Sequence, residues 1–82
     1  MKKNKKTIID VRTSAEFISG HVDGSVNIPL HEIVQRLDEL KSFSQPIVLC
    51  CASGSRSGQA TAYLRHYGID CENGGSWLNM IY

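Results

Sequence analysis

With 82 residues, 41% of them apolar and 21% charged, the chain has the composition of an ordinary globular protein rather than a disordered, collagenous or coiled-coil one. Its length suits a single small domain over residues 1–82, one that buries only about 60 to 65% of its unfolded surface. A net charge of +1 speaks against a broad nucleic-acid footprint, no apolar run approaches the roughly 20 residues that span a bilayer, and three cysteines, an odd number for a disulfide framework, read as free thiols of a reducing compartment.

The chain opens on Lys2, Lys3, Lys5 and Lys6, with no interleaved aromatics, and residues 1–6 read as a solvated basic tail. Only Thr7-Ile8-Ile9 follows before Asp10 and Arg12, too short and too charged for the apolar segment of an export leader. The expected location is therefore the cytoplasm, or the periplasm for a chain whose leader had been removed.

Thr7 to Val11 is a β-branched apolar run and predicts a buried strand. Thr13-Ser14-Ala15-Glu16 has the spacing of a capping box, so a short helix starts there and stops at Gly20, taken as a left-handed C-terminal residue. Val26-Asn27-Ile28 predicts a brief strand ended by Pro29. From Leu30 to Leu40, Leu30, Ile33, Val34 and Leu37 recur at helical spacing opposite Glu32, Gln35, Arg36, Asp38 and Glu39, which predicts an amphipathic helix.

After a loop over Lys41 to Pro46, Ile47 to Cys50 has the unbroken hydrophobicity of a central strand. Ala60, Tyr63, Leu64 and Tyr67 then fall at helical spacing, in a helix closed by Gly68. Ile69 to Glu72 predicts a last strand, Asn73-Gly74-Gly75 a turn, and Ser76 to Ile81 a short helix capped by Ser76. Strands alternating with helices imply an α/β fold, a small parallel sheet with helices on both faces.

In such a sheet, sites form at the carboxyl ends of strands, where loops enter helix N-termini with unpaired N–H groups. Cys51-Ala52-Ser53-Gly54-Ser55-Arg56-Ser57 occupies that position. Gly54 permits a left-handed turn, and the small Ala52, Ser53 and Ser55 keep the rim low, so that backbone N–H groups converge on one point. A cysteine with a pKa near 8.5 is only about 3% thiolate at pH 7, and bringing it to about 6.5 takes roughly 2.7 kcal/mol. A helix N-terminus supplies about 0.3 to 1 kcal/mol, at most about 2. The loop amides and the charge of Arg56 are expected to make up the rest.

Two registers compete. Counting from Cys51 gives C-x4-R; counting from Cys50 gives C-x5-R-S, the spacing of the cysteine phosphatases, with Ser57 aiding the thiolate. The shorter loop of the first register is too small to surround a tetrahedral phosphate.

Together with its flanks the loop resembles the rhodanese family of sulfurtransferases. Asp10-Val11-Arg12, Glu16-Phe17, Gly20-His21-Val22-Asp23-Gly24-Ser25, Asn27-Ile28-Pro29-Leu30, Cys51 to Ser57 and Gly74-Gly75-Ser76-Trp77 match its successive motifs in order, from about Ile8 to Trp77. The resemblance aligns the nucleophile with Cys51 and leaves Cys50 as a buried strand residue. It implies that Cys51 takes the outer sulfur of a small anionic donor such as thiosulfate and passes it from a persulfide to a thiol or cyanide acceptor, a protein thiol included, with no external cofactor. A non-catalytic persulfide carrier is the alternative within the same chemistry. Family members generally carry a further strand and helix before the Asp-Val-Arg motif, and the resemblance implies that these are missing from the expected sheet here.

The remaining candidates read as structural. Asp10 and Arg12 are expected to brace the loops near the site, and His21 resembles the family's structural histidine. Cys71 is expected to pack in the last strand, and Trp77 lies either at the pocket mouth or in the core. His31 and His66 have no partner at metal-ligand spacing, so no metal is expected.

Overall fold

Four short strands and the helices between them are laid out in a computed structural model, which describes residues 6–80. Lys2, Lys3 and Lys5 of the basic tail, and Ile81 of the expected last helix, lie outside the described residues. Strand β1 (Thr7–Asp10) leads to helix α1 (Ser14–Ser19) and strand β2 (Val26–Asn27). Two 3₁₀ turns (Leu30–Glu32 and Val34–Arg36) and helix α2 (Leu37–Ser42) then precede strand β3 (Ile47–Cys51). Helix α3 (Ser55–His66), strand β4 (Cys71–Ser76) and a 3₁₀ turn (Trp77–Met80) complete the order.

All pairings are parallel and the sheet runs β2-β1-β3-β4. The chain moves to one side from β1 to β2 and then crosses to the other side for β3. The carboxyl ends of β1 and β3 therefore flank the point where strand order reverses, which is where open α/β sheets bind ligands.

Side chains alternate across a strand, and β3 shows the consequence. Ile47, Leu49 and Cys51 join Ile9, Val11, Ile28, Ile33, Leu40, Ala60, Leu64, Ile69 and Cys71 in the main core beneath α3 and the 30–42 segment. Val48 and Cys50 are also buried but face the other side, where Asp10 and Arg12 are buried too.

Helix α1 starts as its sequence dictates. Thr13 Oγ1 accepts from Glu16 N–H (3.2 Å) and Glu16 Oε1 accepts from Thr13 N–H (2.9 Å), a complete capping box. Its end differs from expectation: Gly20 has φ 163 and ψ 137, extended rather than left-handed. Phe17 stacks on His21 at 3.7 Å, and a ring nitrogen of His21 meets the Phe17 carbonyl at 2.7 Å, so this histidine ties the helix end to the next loop.

The single helix expected over Leu30 to Leu40 is instead two 3₁₀ turns followed by α2. Pro29 precedes it without a side-chain cap, and Arg36 (φ −118, ψ 28) steps off the helical path. In 3₁₀ geometry residues i and i+3 eclipse, so Ile33 is carried under Leu30 into the core while Val34, expected on the apolar face, is 55% exposed. Arg36 bridges Glu32 (3.0 Å) and Glu39 (2.8 Å) across the junction.

The other difference lies at the last strand. Asn73-Gly74-Gly75, expected as a turn, continues β4. Leu49 pairs with Asn73 but Cys50 with Gly75, so Gly74 is an extra residue bulged out of the ladder. A Cβ on Gly74 would lie 2.7 Å from Val48 Cγ1 and 3.1 Å from the Met80 sulfur. The two glycines let the chain follow the edge of β3 where a bulkier pair would leave it. The last helix is a 3₁₀ turn, with Ser76 Oγ accepting from Leu78 N–H at 3.2 Å as its cap.

Candidate active site

Cys51 is the last residue of β3 and Ser55 the first of α3, so three residues connect strand to helix. The connection is that short because Gly54 turns left-handed at φ 100, a conformation that strains any residue with a Cβ. The loop folds back on the cysteine. Gly54 N–H donates to Cys51 Sγ at 3.0 Å, Ser57 N–H at 3.4 Å, and the Ser57 hydroxyl lies 3.5 Å from the same sulfur. Cys51 itself is wholly buried.

Burial pushes the Cys51 thiol up. The Ser57 hydroxyl and the N–H groups of Ser57, Gly54 and Ser53 outweigh it and bring the thiol down to about 7. Cys50, one peptide away on the opposite face, has no such donors. Burial, with the Asp10 carboxylate next in weight, pushes its thiol up to about 12. Burial also raises Cys71, whose sulfur faces the Thr61 carbonyl at 3.6 Å, a packing role.

Arg56 occupies a different place from the one expected of it. Its guanidinium grips Glu16, Nη1 to Oε1 at 2.8 Å and Nη2 to Oε2 at 3.1 Å, while still feeling the Cys51 charge. Hydrogen bonding to Arg56 is the leading cause that holds the Glu16 carboxyl down at about 2. The lowering of Cys51 thus comes chiefly from the loop amides and the Ser57 hydroxyl, a correction to the weight given to arginine. Ala52, Ser53 and Ser55 form the exposed rim.

Asp10 and Arg12 sit behind β3, with Cys50. Arg12 donates to both Asp10 carboxylate oxygens (2.7 to 3.1 Å) and to the Gly20 carbonyl (2.7 Å), and its guanidinium carbon lies 4.5 Å from the centre of the Trp77 ring. This pair braces the end of β1 against the loop after α1 and against Trp77; it does not reach the Cys51 sulfur through any hydrogen bond. Asn27 completes the brace, donating to the Asp10 and Arg12 carbonyls at 2.9 Å each. Among the described residues no three His, Cys, Asp or Glu side chains converge as metal ligands would, and none of the helices is long and apolar enough to cross a membrane.

Two participants were not legible in the sequence. Glu16 stood out as a helix cap and as part of the Glu-Phe motif, but not as the partner of Arg56, which is 40 residues away. Asn73, read as a turn residue, accepts from the Ser57 hydroxyl at 2.6 Å and donates to the Gly54 carbonyl at 3.1 Å. An asparagine before two glycines is the ordinary signature of a turn, and nothing local distinguishes it.

Known proteins resemble this chain in sequence and in fold. The uncharacterized protein YqhL of Bacillus subtilis is 42% identical over 64 residues, which are 78% of this chain and 50% of that one. A sulfurtransferase of Allochromatium vinosum is 38% identical over 74% of this chain and 56% of its own. The chain thus spans about half the length of these curated relatives. A solved structure described as a rhodanese with anions from Escherichia coli superposes with a TM-score of 0.82 at 31% identity, covering 92% of this chain and 91% of that one. The model of the rhodanese-like domain family matches residues 1–78, and with the parallel sheet and the cysteine loop this establishes that the chain belongs to the rhodanese-like family.

Proposed function

We propose that this protein is a sulfurtransferase that carries sulfur on Cys51. The observation that supports this most directly is the sulfur of Cys51 held by the Gly54 and Ser57 N–H groups at 3.0 and 3.4 Å with the Ser57 hydroxyl at 3.5 Å, its thiol brought to about 7. Such a site keeps about half of the cysteine as thiolate at neutral pH without a metal or cofactor.

The reaction balances on these groups alone. The Cys51 thiolate attacks the outer sulfur of a compact anionic donor of the thiosulfate class; the donor's S–S bond breaks and sulfite leaves with the electron pair. The resulting Cys51 persulfide is attacked at its terminal sulfur by an acceptor thiolate, or by cyanide, and the Cys51 thiolate is released. Arg56, at the rim with two N–H groups in a planar fork, is the group suited to hold the donor's oxygens. A thiol, that of a protein included, is the acceptor class.

The test is mass spectrometry after thiosulfate treatment, with fragment ions that separate the adjacent cysteines. One added sulfur on Cys51 is expected, and Cys51→Ser should abolish thiocyanate formation from cyanide while Cys50→Ser largely retains it. The reverse pattern, or steady hydrolysis of an aryl phosphate that depends on Cys50, would overturn the proposal. Sulfur loading in native protein should follow a single rise with pH centred near the Cys51 value of about 7.

A further inference from the structure

Asn73 belongs to none of the loop's motifs, yet its side chain holds the loop at Gly54 and at Ser57. The orientation of its amide is fixed by groups that have only one part to play. Gly75 N–H donates to Oδ1 at 3.0 Å, and the Gly54 carbonyl accepts from Nδ2 at 3.1 Å. With Oδ1 so assigned, the Ser57 hydroxyl 2.6 Å away donates to it. That hydroxyl also lies 3.5 Å from Cys51 Sγ, and it has one hydrogen to give. Ser57 is fully buried, so water does not stand in for it.

The bulge in β4 is what sets this up. Asn73 pairs with Leu49 and shares its face of the sheet, the face beneath α3, before the ladder slips by one residue at Gly74. Parallel bulges are rare and characteristically re-aim a side chain near a site. Here the side chain so aimed meets both Gly54, the nearest N–H donor to the sulfur, and Ser57, the hydroxyl donor.

Resting on the sulfur-transfer reading of the site, we infer that Asn73 is a positioning residue for Cys51: it competes with the cysteine sulfur for the single Ser57 hydroxyl hydrogen, and the winner changes with the charge on sulfur. In the neutral state the Cys51 S–H donates to Ser57 Oγ and the Ser57 O–H donates to Asn73 Oδ1. When the thiol proton leaves to solvent, the thiolate becomes the stronger acceptor and the hydroxyl turns to it. Asn73 Oδ1 keeps the Gly75 N–H and, on an exposed residue, takes up water. The hydroxyl hydrogen stays on Ser57 throughout, and nothing is oxidised or reduced. Asn73 thus tunes how readily the cysteine ionises while holding Gly54 in place.

The test reads ionisation without any sulfur transfer: the pH dependence of Cys51 alkylation by iodoacetamide, with tandem mass spectrometry separating it from Cys50. Ser57→Ala is compared in three backgrounds, native, Asn73→Ala and Asn73→Asp. The upward shift of the alkylation midpoint caused by Ser57→Ala should be largest with Asn73→Ala, where the hydroxyl has only sulfur to serve, on the order of one pH unit. It should be smaller in the native background and smallest with Asn73→Asp, whose carboxylate retains the hydrogen. Equal shifts in all backgrounds would overturn the inference, because charge and loop stability alone give no such ordering. If Asn73→Asp does not fold, the native and Asn73→Ala pair carries the same comparison. An ordered series in a protein that thiosulfate fails to load would overturn the sulfur-transfer reading and leave the role of Asn73 standing, while equal shifts in a protein that loads normally would sink only the inference.

Discussion

Cys50 and Cys51 are the same side chain one peptide apart, and the pleat of a strand is enough to give them opposite chemistry. One faces N–H donors at a helix entry, the other a carboxylate and apolar neighbours, and their thiols are driven to about 7 and about 12. Arg56 shows the same dependence on surroundings. A loop arginine with a free fork is an anion site; here the fork is already filled by Glu16. An anionic donor held by Arg56, as proposed, would compete with a carboxylate of the same chain for that fork. Glu16→Gln removes the charge while keeping a capping-box partner for Thr13, so the KM for thiosulfate is expected to fall by about two- to fivefold, in line with a partly exposed ion pair, with kcat nearly unchanged. Steady-state kinetics at low ionic strength checks this, and a raised KM would contradict it.

At the scale of elements, the sequence was informative wherever local chemistry decides the outcome. The capping box at Thr13, the central strand read over Ile47 to Cys50 and extended by one residue to Cys51, and helix α3 ending near Gly68 are all present, because caps, unbroken apolar runs and glycine stops act within a turn or two. The segment from Leu30 to Leu40 misled because apolar spacings of three and four fit an α-helix and a pair of 3₁₀ turns alike; a distant core decided between them. Asn73-Gly74-Gly75 misled more deeply. Its turn propensity was overridden by the unpaired edge of β3, a partner more than 20 residues away, and with it the link from Asn73 to Ser57 stayed hidden. The bulge also makes a prediction. Gly74→Ala puts a methyl group 2.7 Å from Val48 Cγ1, an overpacking expected to cost about 1 to 3 kcal/mol. Urea unfolding measures it, and a trimmed Val48→Ala in the same chain should recover part of the loss.

For the whole molecule, the three thiols couple folding to pH. The Cys51 thiol is lower in the folded chain than in the unfolded one, so its contribution is absent below about pH 7 and grows as pH rises toward the unfolded value near 9. The gain is on the order of 2 to 3 kcal/mol. Cys50 and Cys71 act in the opposite sense. Both are raised by burial, so above about pH 9 the unfolded chain ionises first and stability falls. A stability curve that climbs between pH 7 and 9 and then drops is therefore expected under reducing conditions. Its rising limb should vanish in Cys51→Ser and its falling limb should soften in Cys50→Ala, as read by urea midpoints across the range.

The complete burial of Cys51 bears on more than ionisation. A persulfide places its outer sulfur about 2 Å beyond Sγ, toward the rim of small side chains. On the proposed reading the buried Sγ is the less accessible of the two sulfurs, and the outer one is the atom that an acceptor thiol meets.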